Sequence, residues 1–129
     1  MNKLMPEPLE SDIQIQVVSY LTLCNIPGLV FFAVPNEAMS KARTMGGIAR
    51  MVRLKKMGLR SGVADLCFVY SGKVYFLELK RRLKKQTVNQ LAFEADAIRA
   101  GAEYAVADSF DVAILVLRKW GIIMDLPSS

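Results

Sequence analysis

Gly62-Val63-Ala64-Asp65-Leu66-Cys67-Phe68-Val69-Tyr70-Ser71-Gly72-Lys73-Val74-Tyr75-Phe76-Leu77-Glu78-Leu79-Lys80 reads as two strands joined by a Ser71-Gly72 turn. If the turn is a two-residue hairpin, Tyr70 pairs with Lys73. Counting back in antiparallel register places Asp65 opposite Glu78. Side chains alternate along a strand, so Lys80 projects on the same face as Glu78. Two facing carboxylates repel one another. A divalent cation, which prefers hard oxygen ligands, would neutralise them. With a lysine beside it, such a site has the parts for phosphodiester cleavage. The register carries this reading: a bulge at the turn would shift the pairing by one and send Glu78 to the other face. The spacing of Asp65, Glu78 and Lys80 also arises by chance, and a strand-end acid beside a lysine is also an ordinary solvated salt bridge.

Outward from the hairpin, charge is the next signal. Seven of the 17 basic residues fall between Lys41 and Arg60 (Lys41, Arg43, Arg50, Arg53, Lys55, Lys56, Arg60), and five between Lys80 and Lys85 (Lys80, Arg81, Arg82, Lys84, Lys85). Neither segment contains an acid. Two basic clusters on a chain of net charge +5 point to a polyanion, most simply nucleic acid. Solvated helix or loop faces explain the same charges equally well when the acids are ignored. One cluster runs on directly from Lys80, so cations and carboxylates are expected close together, as phosphate binding at a cutting site requires.

The 129 residues, 53% of them apolar, suit one globular domain over residues 1–129. No apolar run is longer than Leu29 to Val34, far shorter than the ~20 residues of a membrane helix, so no membrane contact is expected. The opening MNKLMPEPLESD has no apolar signal core, which predicts a cytoplasmic protein. Cys24 and Cys67 stand in apolar surroundings and read as reduced core residues. The absence of histidine removes histidine general-base chemistry and the usual zinc sites.

Helical spacing of Ile13, Val17, Val18 and Leu21 predicts a helix from about Glu10 to Leu23. Glu10 lies on its apolar stripe and Asp12 on the opposite side. Glu10 is thus either a partner of the helix dipole or a third acid aimed at the metal. Leu29 to Val34 reads as a buried strand. Asn36-Glu37 follows it in a loop, where polar residues serve either a site or a turn. A short amphipathic helix is expected from about Gly47 to Met57, its methionines as core filler. Thr87 and Gln90 form a capping-box pattern at the start of a helix running to about Ala100. That is a sufficient structural reason for Gln90, and a role near the metal competes with it. A strand at Tyr104 to Ala107 and a helix from Phe110 to Lys119, capped by Ser109, complete the order α-β-α-β-β-α-β-α. The expected fold class is α/β, a mixed central sheet flanked by helices on both faces.

With these elements in order, the chain resembles the PD-(D/E)xK nucleases, whose core is restriction-endonuclease-like. More narrowly it resembles the virus-type replication-repair (VRR-NUC) nuclease domains, found alone in phages and as the end domain of a eukaryotic repair nuclease. The residues that carry the resemblance are Glu10 with Ile13-Gln14 and Leu21, Val34-Pro35-Asn36, Lys56-Met57-Gly58, Gly62 through Asp65-Leu66, Glu78-Leu79-Lys80, Gln90, and Gly101-Ala102-Glu103. Ala64 stands where the family often has proline.

The resemblance implies that Asp65, Glu78, Lys80 and Gln90 form the catalytic set. It also implies that Glu10, Asp65, Glu78 and the Leu79 carbonyl hold Mg²⁺ or Mn²⁺. It implies branched DNA as substrate, a flap or four-way junction, cut during replication, recombination or repair. A homodimer is implied too, since a two-fold axis would match a two-fold-symmetric junction. The expected compartment becomes the host cytoplasm if the chain is phage-encoded. The apolar tail Trp120-Gly121-Ile122-Ile123-Met124 is the surface suspected of dimerising, unless it finishes the core. Competing readings are a non-catalytic nucleic-acid-binding module on the same fold, and a restriction-type enzyme that reads base sequence in plain duplex.

Overall fold

A computed structural model describes residues 7–35 and 45–124. Asn36, Glu37, Lys41 and Arg43 lie outside the described residues. The element order is the one the sequence predicts: α1 (Glu10–Cys24), β1 (Val30–Ala33), α2 (Met45–Lys56), β2 (Leu66–Tyr70), β3 (Lys73–Leu79), α3 (Val88–Arg99), β4 (Glu103–Ala107) and α4 (Phe110–Lys119). The four strands form one mixed sheet in the order β1-β2-β3-β4. The first two pairings are antiparallel and β3–β4 is parallel. None of the described helices is long and apolar enough to cross a membrane.

The hairpin closes as the Ser71-Gly72 pair dictates. Both residues have positive φ, 52° and 79°, the type I′ geometry that matches strand twist. Tyr70 pairs with Lys73 and Leu66 with Leu77. No bulge intervenes, so the face of every later side chain follows from the turn.

One face of the sheet packs against α1 and α4. Ile13, Val17 and Leu21 from α1 meet Leu66, Phe68, Tyr75, Leu77 and Leu79 from the sheet, and Ala113, Ile114 and Leu117 from α4. Phe68 lies between Phe31 and Trp120, with ring centroids 6.2 Å from each. Trp120 also tilts against Tyr75 at 5.1 Å. Ile122 and Ile123 are buried in the same cluster, so this part of the apolar tail finishes the core, while Met124 is exposed.

The other face is covered by α3 over its β3–β4 half, where Phe93 and Ala97 pack with Ala64, Phe76 and Tyr104. The β1–β2 half is more open, and this corrects the expected buried strand. Val30 is 59% and Phe32 50% exposed, because β1 is the sheet edge and only its Phe31 face meets the core. The α2 helix likewise buries no residue, so its apolar positions are not core filler. Cys24 is exposed at the end of α1, one turn past the last packed position, Leu21; only Cys67 is a buried cysteine, and both are free thiols.

Candidate active site

The site forms where the N-terminal end of β2 meets the C-terminal end of β3. The observed register continues by one residue to set Asp65 opposite Glu78. In this hairpin the Tyr70–Lys73, Phe68–Tyr75 and Leu66–Leu77 pairs occupy hydrogen-bonded positions. Asp65 and Glu78 therefore face one another at a non-hydrogen-bonded position, where side chains approach most closely.

Asp65 is held at two points. Its carbonyl accepts from Val34 N–H at 2.9 Å, joining it to the end of β1. Its carboxylate Oδ2 accepts from Leu79 N–H at 2.8 Å, bridging to β3. The N–H and C=O of one strand residue point the same way, so the Leu79 carbonyl is also directed toward Asp65. Lys80 N–H turns the other way, to the carbonyl of Ala107 at 3.0 Å.

Glu78 is the buried polar side chain of the core, 2% exposed. Gln90 Nε2 donates to its Oε2 at 2.8 Å, while Oε1 has no partner among the described residues. Gln90 Oε1 in turn accepts from Thr87 N–H at 2.9 Å, and Thr87 Oγ1 accepts from Gln90 N–H at 3.2 Å. The capping box and the contact to the site are thus one arrangement. The cap fixes the Gln90 amide so that its NH₂ points at Glu78. Gly62 permits this approach. Its φ is +83°, and a Cβ there would overlap the backbone of Asn89 and Gln90.

Burial, followed by the charge of Asp65, pushes the Glu78 carboxyl up from 4.5 to about 8. Burial also raises Asp65. As a carboxylate Glu78 leaves Oε1 buried without a donor; as an acid it can share its proton with Asp65. Lys80 opposes both shifts through its charge. A pair so raised, with one oxygen orphaned, is chemically suited to a hard divalent cation.

Glu10 approaches from the first turn of α1, where its Oε2 accepts from Arg81 N–H at 2.9 Å, and its charge reaches Asp65. Asp12 turns away and accepts weakly from Leu9 N–H at 3.3 Å. Among the described residues no three acidic or cysteine side chains form a ready metal cage. The facing pair comes together beside Leu79, with Glu10 outlying.

The basic residues separate. Arg81, Arg82, Lys84 and Lys85 follow the site directly, and Arg50, Arg53, Lys55 and Lys56 are exposed on α2. Arg60 departs from the group. It pairs with Asp96 at 2.6 Å, lies 5.2 Å over the Phe93 ring, and lines a pocket with Gly72 and Lys73 at the opposite end of β3. Its neighbours in sequence are basic, but the fold gives it a local acid.

Two groups escaped the sequence reading. Glu7 Oε1 accepts from Arg82 N–H at 2.7 Å, and its Oε2 lies 3.6 Å from the Arg81 guanidinium. Tyr104 is half-buried; desolvation, and then the charge of Glu78, raises its phenol, and Gln86 bridges it to Glu94. The acid-poor run from Lys80 to Lys85 signals a need for outside acids but not which ones. Nothing in the sequence pattern marks Tyr104.

No family model and no curated protein matches the chain. Among solved structures it is similar to one described as a "VRR_NUC domain", with a TM-score of 0.58 and 19% identity, over 86% of this chain and 96% of that one. The chain shares the fold of that domain, an α/β arrangement around a mixed four-stranded sheet.

Two outcomes are expected. A group whose folded value is raised binds more protons folded than unfolded, so its stabilisation is complete below its ordinary value and is lost as pH rises through the folded one. In EDTA the protein should therefore lose stability from pH 5 to pH 8, by at most ~1.4 kcal/mol per unit from Glu78. Urea unfolding of Glu78→Gln should show a flatter profile; an unchanged slope would remove Glu78 as its source. Gly62→Ala should lower the melting temperature in a thermal scan, since positive φ and backbone overlap both oppose the added methyl.

Proposed function

We propose that the protein is a divalent-metal-dependent endonuclease that cuts phosphodiester bonds in branched DNA. The observation that carries this reading is the facing Asp65–Glu78 pair, with Glu78 buried and protonation-prone and Asp65 half-buried, and with Lys80 on the same face at the end of β3. The fold shared with a structure described as a VRR_NUC domain supports the same class. A passive binding module has no use for a buried acid with an orphaned oxygen, whose presence costs stability.

In this reading Asp65, Glu78 and the Leu79 carbonyl hold Mg²⁺ or Mn²⁺, with Glu10 joining from α1. Bound there, the cation supplies charge that polarises the scissile phosphate and eases ionisation of water. Asp65, held by Val34 and Leu79, would present its carboxylate to the cation. Gln90 keeps Glu78 Oε2 occupied, so Oε1 faces the ligand. The Lys80 ammonium stands beside the reacting phosphate, where it orients the attacking water and stabilises charge developing on phosphate oxygens. Arg81, Arg82, Lys84 and Lys85, with the cations of α2, take the flanking phosphates and make binding salt-sensitive. The same positive surface suits a substrate chosen by shape.

We further propose a homodimer, which would present two sites to a junction. The exposed apolar residues Val30 and Phe32 on the β1 edge, and Ile48 and Val52 on α2, support a second copy as their cover.

Asp65→Ala and Lys80→Ala should each reduce cutting of labelled four-way junctions or flaps by at least ~100-fold in Mg²⁺ or Mn²⁺, with gel-shift binding largely kept. Undiminished cleavage by both variants would sink the assigned site. Light scattering at micromolar concentration should give the mass of two chains, and Phe32→Lys should give one; a monomeric parent protein would refute the dimer.

A further inference from the structure

We propose that Leu83 is a wedge that enters the stacked bases beside the cutting site. This rests on the nuclease reading above. The residue lies at the tip of a turn from Arg81 to Lys84, closed by Lys84 N–H donating to the Arg81 carbonyl at 3.0 Å. Leu83 occupies the third position of that turn with φ +71°. A turn with positive φ there favours glycine or asparagine, and a branched apolar side chain pays for the conformation. The same leucine is 97% exposed, with cations on both sides in sequence: Arg81 and Arg82 before it, Lys84 and Lys85 after it. Neither the backbone nor solvation gives a folded monomer a reason for leucine at this point.

The turn is also held still. Arg82 N–H donates to Glu7 and Arg81 N–H donates to Glu10, so two acids from the start of the chain pin consecutive amides at its base. These contacts fix the direction in which Leu83 is presented, three residues beyond Lys80. The turn borders an open groove of about 400 Å³ that Lys80, Arg81, Arg82, Lys84, Val106, Asp108 and Val112 also line. The apolar tip therefore shares one groove with the reactive lysine and the cations that would hold phosphates.

A rigid apolar tip ringed by phosphate-binding cations has the chemistry of side chains that separate base steps, where the cations secure the backbone and the wedge replaces one stacking contact. Insertion is easiest where stacking is already broken. Leu83 would thus favour a branch point or nick over continuous duplex, and supply discrimination that the catalytic acids do not. Burial against bases removes the apolar surface that solvent now meets.

The test uses the full-length protein with Ca²⁺ in place of Mg²⁺, and four-way junction DNA carrying 2-aminopurine at the branch. The wild-type protein should raise 2-aminopurine fluorescence on binding. Leu83→Gly and Leu83→Ala should bind without that rise and, in Mg²⁺, cut the junction roughly tenfold or more slowly, as losing the burial of one leucine implies. Leu83→Met should restore both. Leu83→Gly should melt no lower than wild type, because glycine adopts this φ freely, so lost cutting is not lost folding. The proposal is overturned if the glycine variant opens and cuts the junction like wild type while wild type remains active. It is also overturned if wild type gives no fluorescence rise, or if the variant's sole defect is dissociation of a dimer. A Leu83-dependent rise from a wild-type protein that never cuts DNA would keep the wedge and defeat the nuclease reading instead.

Discussion

Two carboxyl groups facing each other across β2 and β3 set the terms for the rest of the structure. Burying Glu78 opposite Asp65 is unfavourable in the free protein, and a carboxyl pushed up to about 8 is the measure of that cost. The surroundings keep the pair in place. Leu79 N–H takes Asp65, the Gln90 amide takes Glu78, and the Thr87 cap holds Gln90. Gly62 lets the α3 terminus come close enough for that chain of contacts to reach the sheet. The core beneath, with Phe68 fully buried and Trp120 packed against it, backs the two strands that carry the pair. Stability is spent at this one point, as expected of a site that binds a cation.

Much of this was legible in the sequence because short-range rules govern it. Ser71-Gly72 fixes a two-residue turn, the turn fixes register, and register fixes which side chains share a face. The element order followed from periodicity and caps in the same way, as did Glu10 lying inward and Asp12 outward. The Thr87–Gln90 pattern was visible too. What could not be seen was that the cap and the site are compatible, since that depends on how closely α3 approaches β3. The failures are likewise of long range. Leu29 to Val34 is apolar throughout, yet β1 is an edge strand, because a run of apolar residues does not say whether a second layer covers it. Arg60 sits in a basic segment, yet Asp96 and Phe93 claim it from a helix 36 residues on. Glu7 gave no signal at all, since its partners, the Arg82 backbone amide and the Arg81 guanidinium, lie some 75 residues further along the chain.

The N-terminal segment and the 80–85 loop form a second unit built around the first. Glu7 and Glu10 offset part of the positive charge of that loop and satisfy its amides. They leave Arg82, Lys84 and Lys85 exposed for a polyanion. Glu7 and Glu10 therefore serve the loop, and Glu10 also reaches Asp65 through its charge. A small single sheet thereby places the facing acids, Lys80 and the basic 81–85 turn along one edge.

The claim that the Asp65–Glu78 pair exists to hold a divalent cation is tested most directly by calorimetric titration of the metal-free protein with Mn²⁺ at pH 7, in two buffers of different ionisation enthalpy. The account predicts saturable binding with release of about one proton, because Glu78 must give up its proton to become a ligand. Glu78→Gln should lose both that proton and most of the affinity. Binding without proton release, or equal binding by the variant, would contradict it.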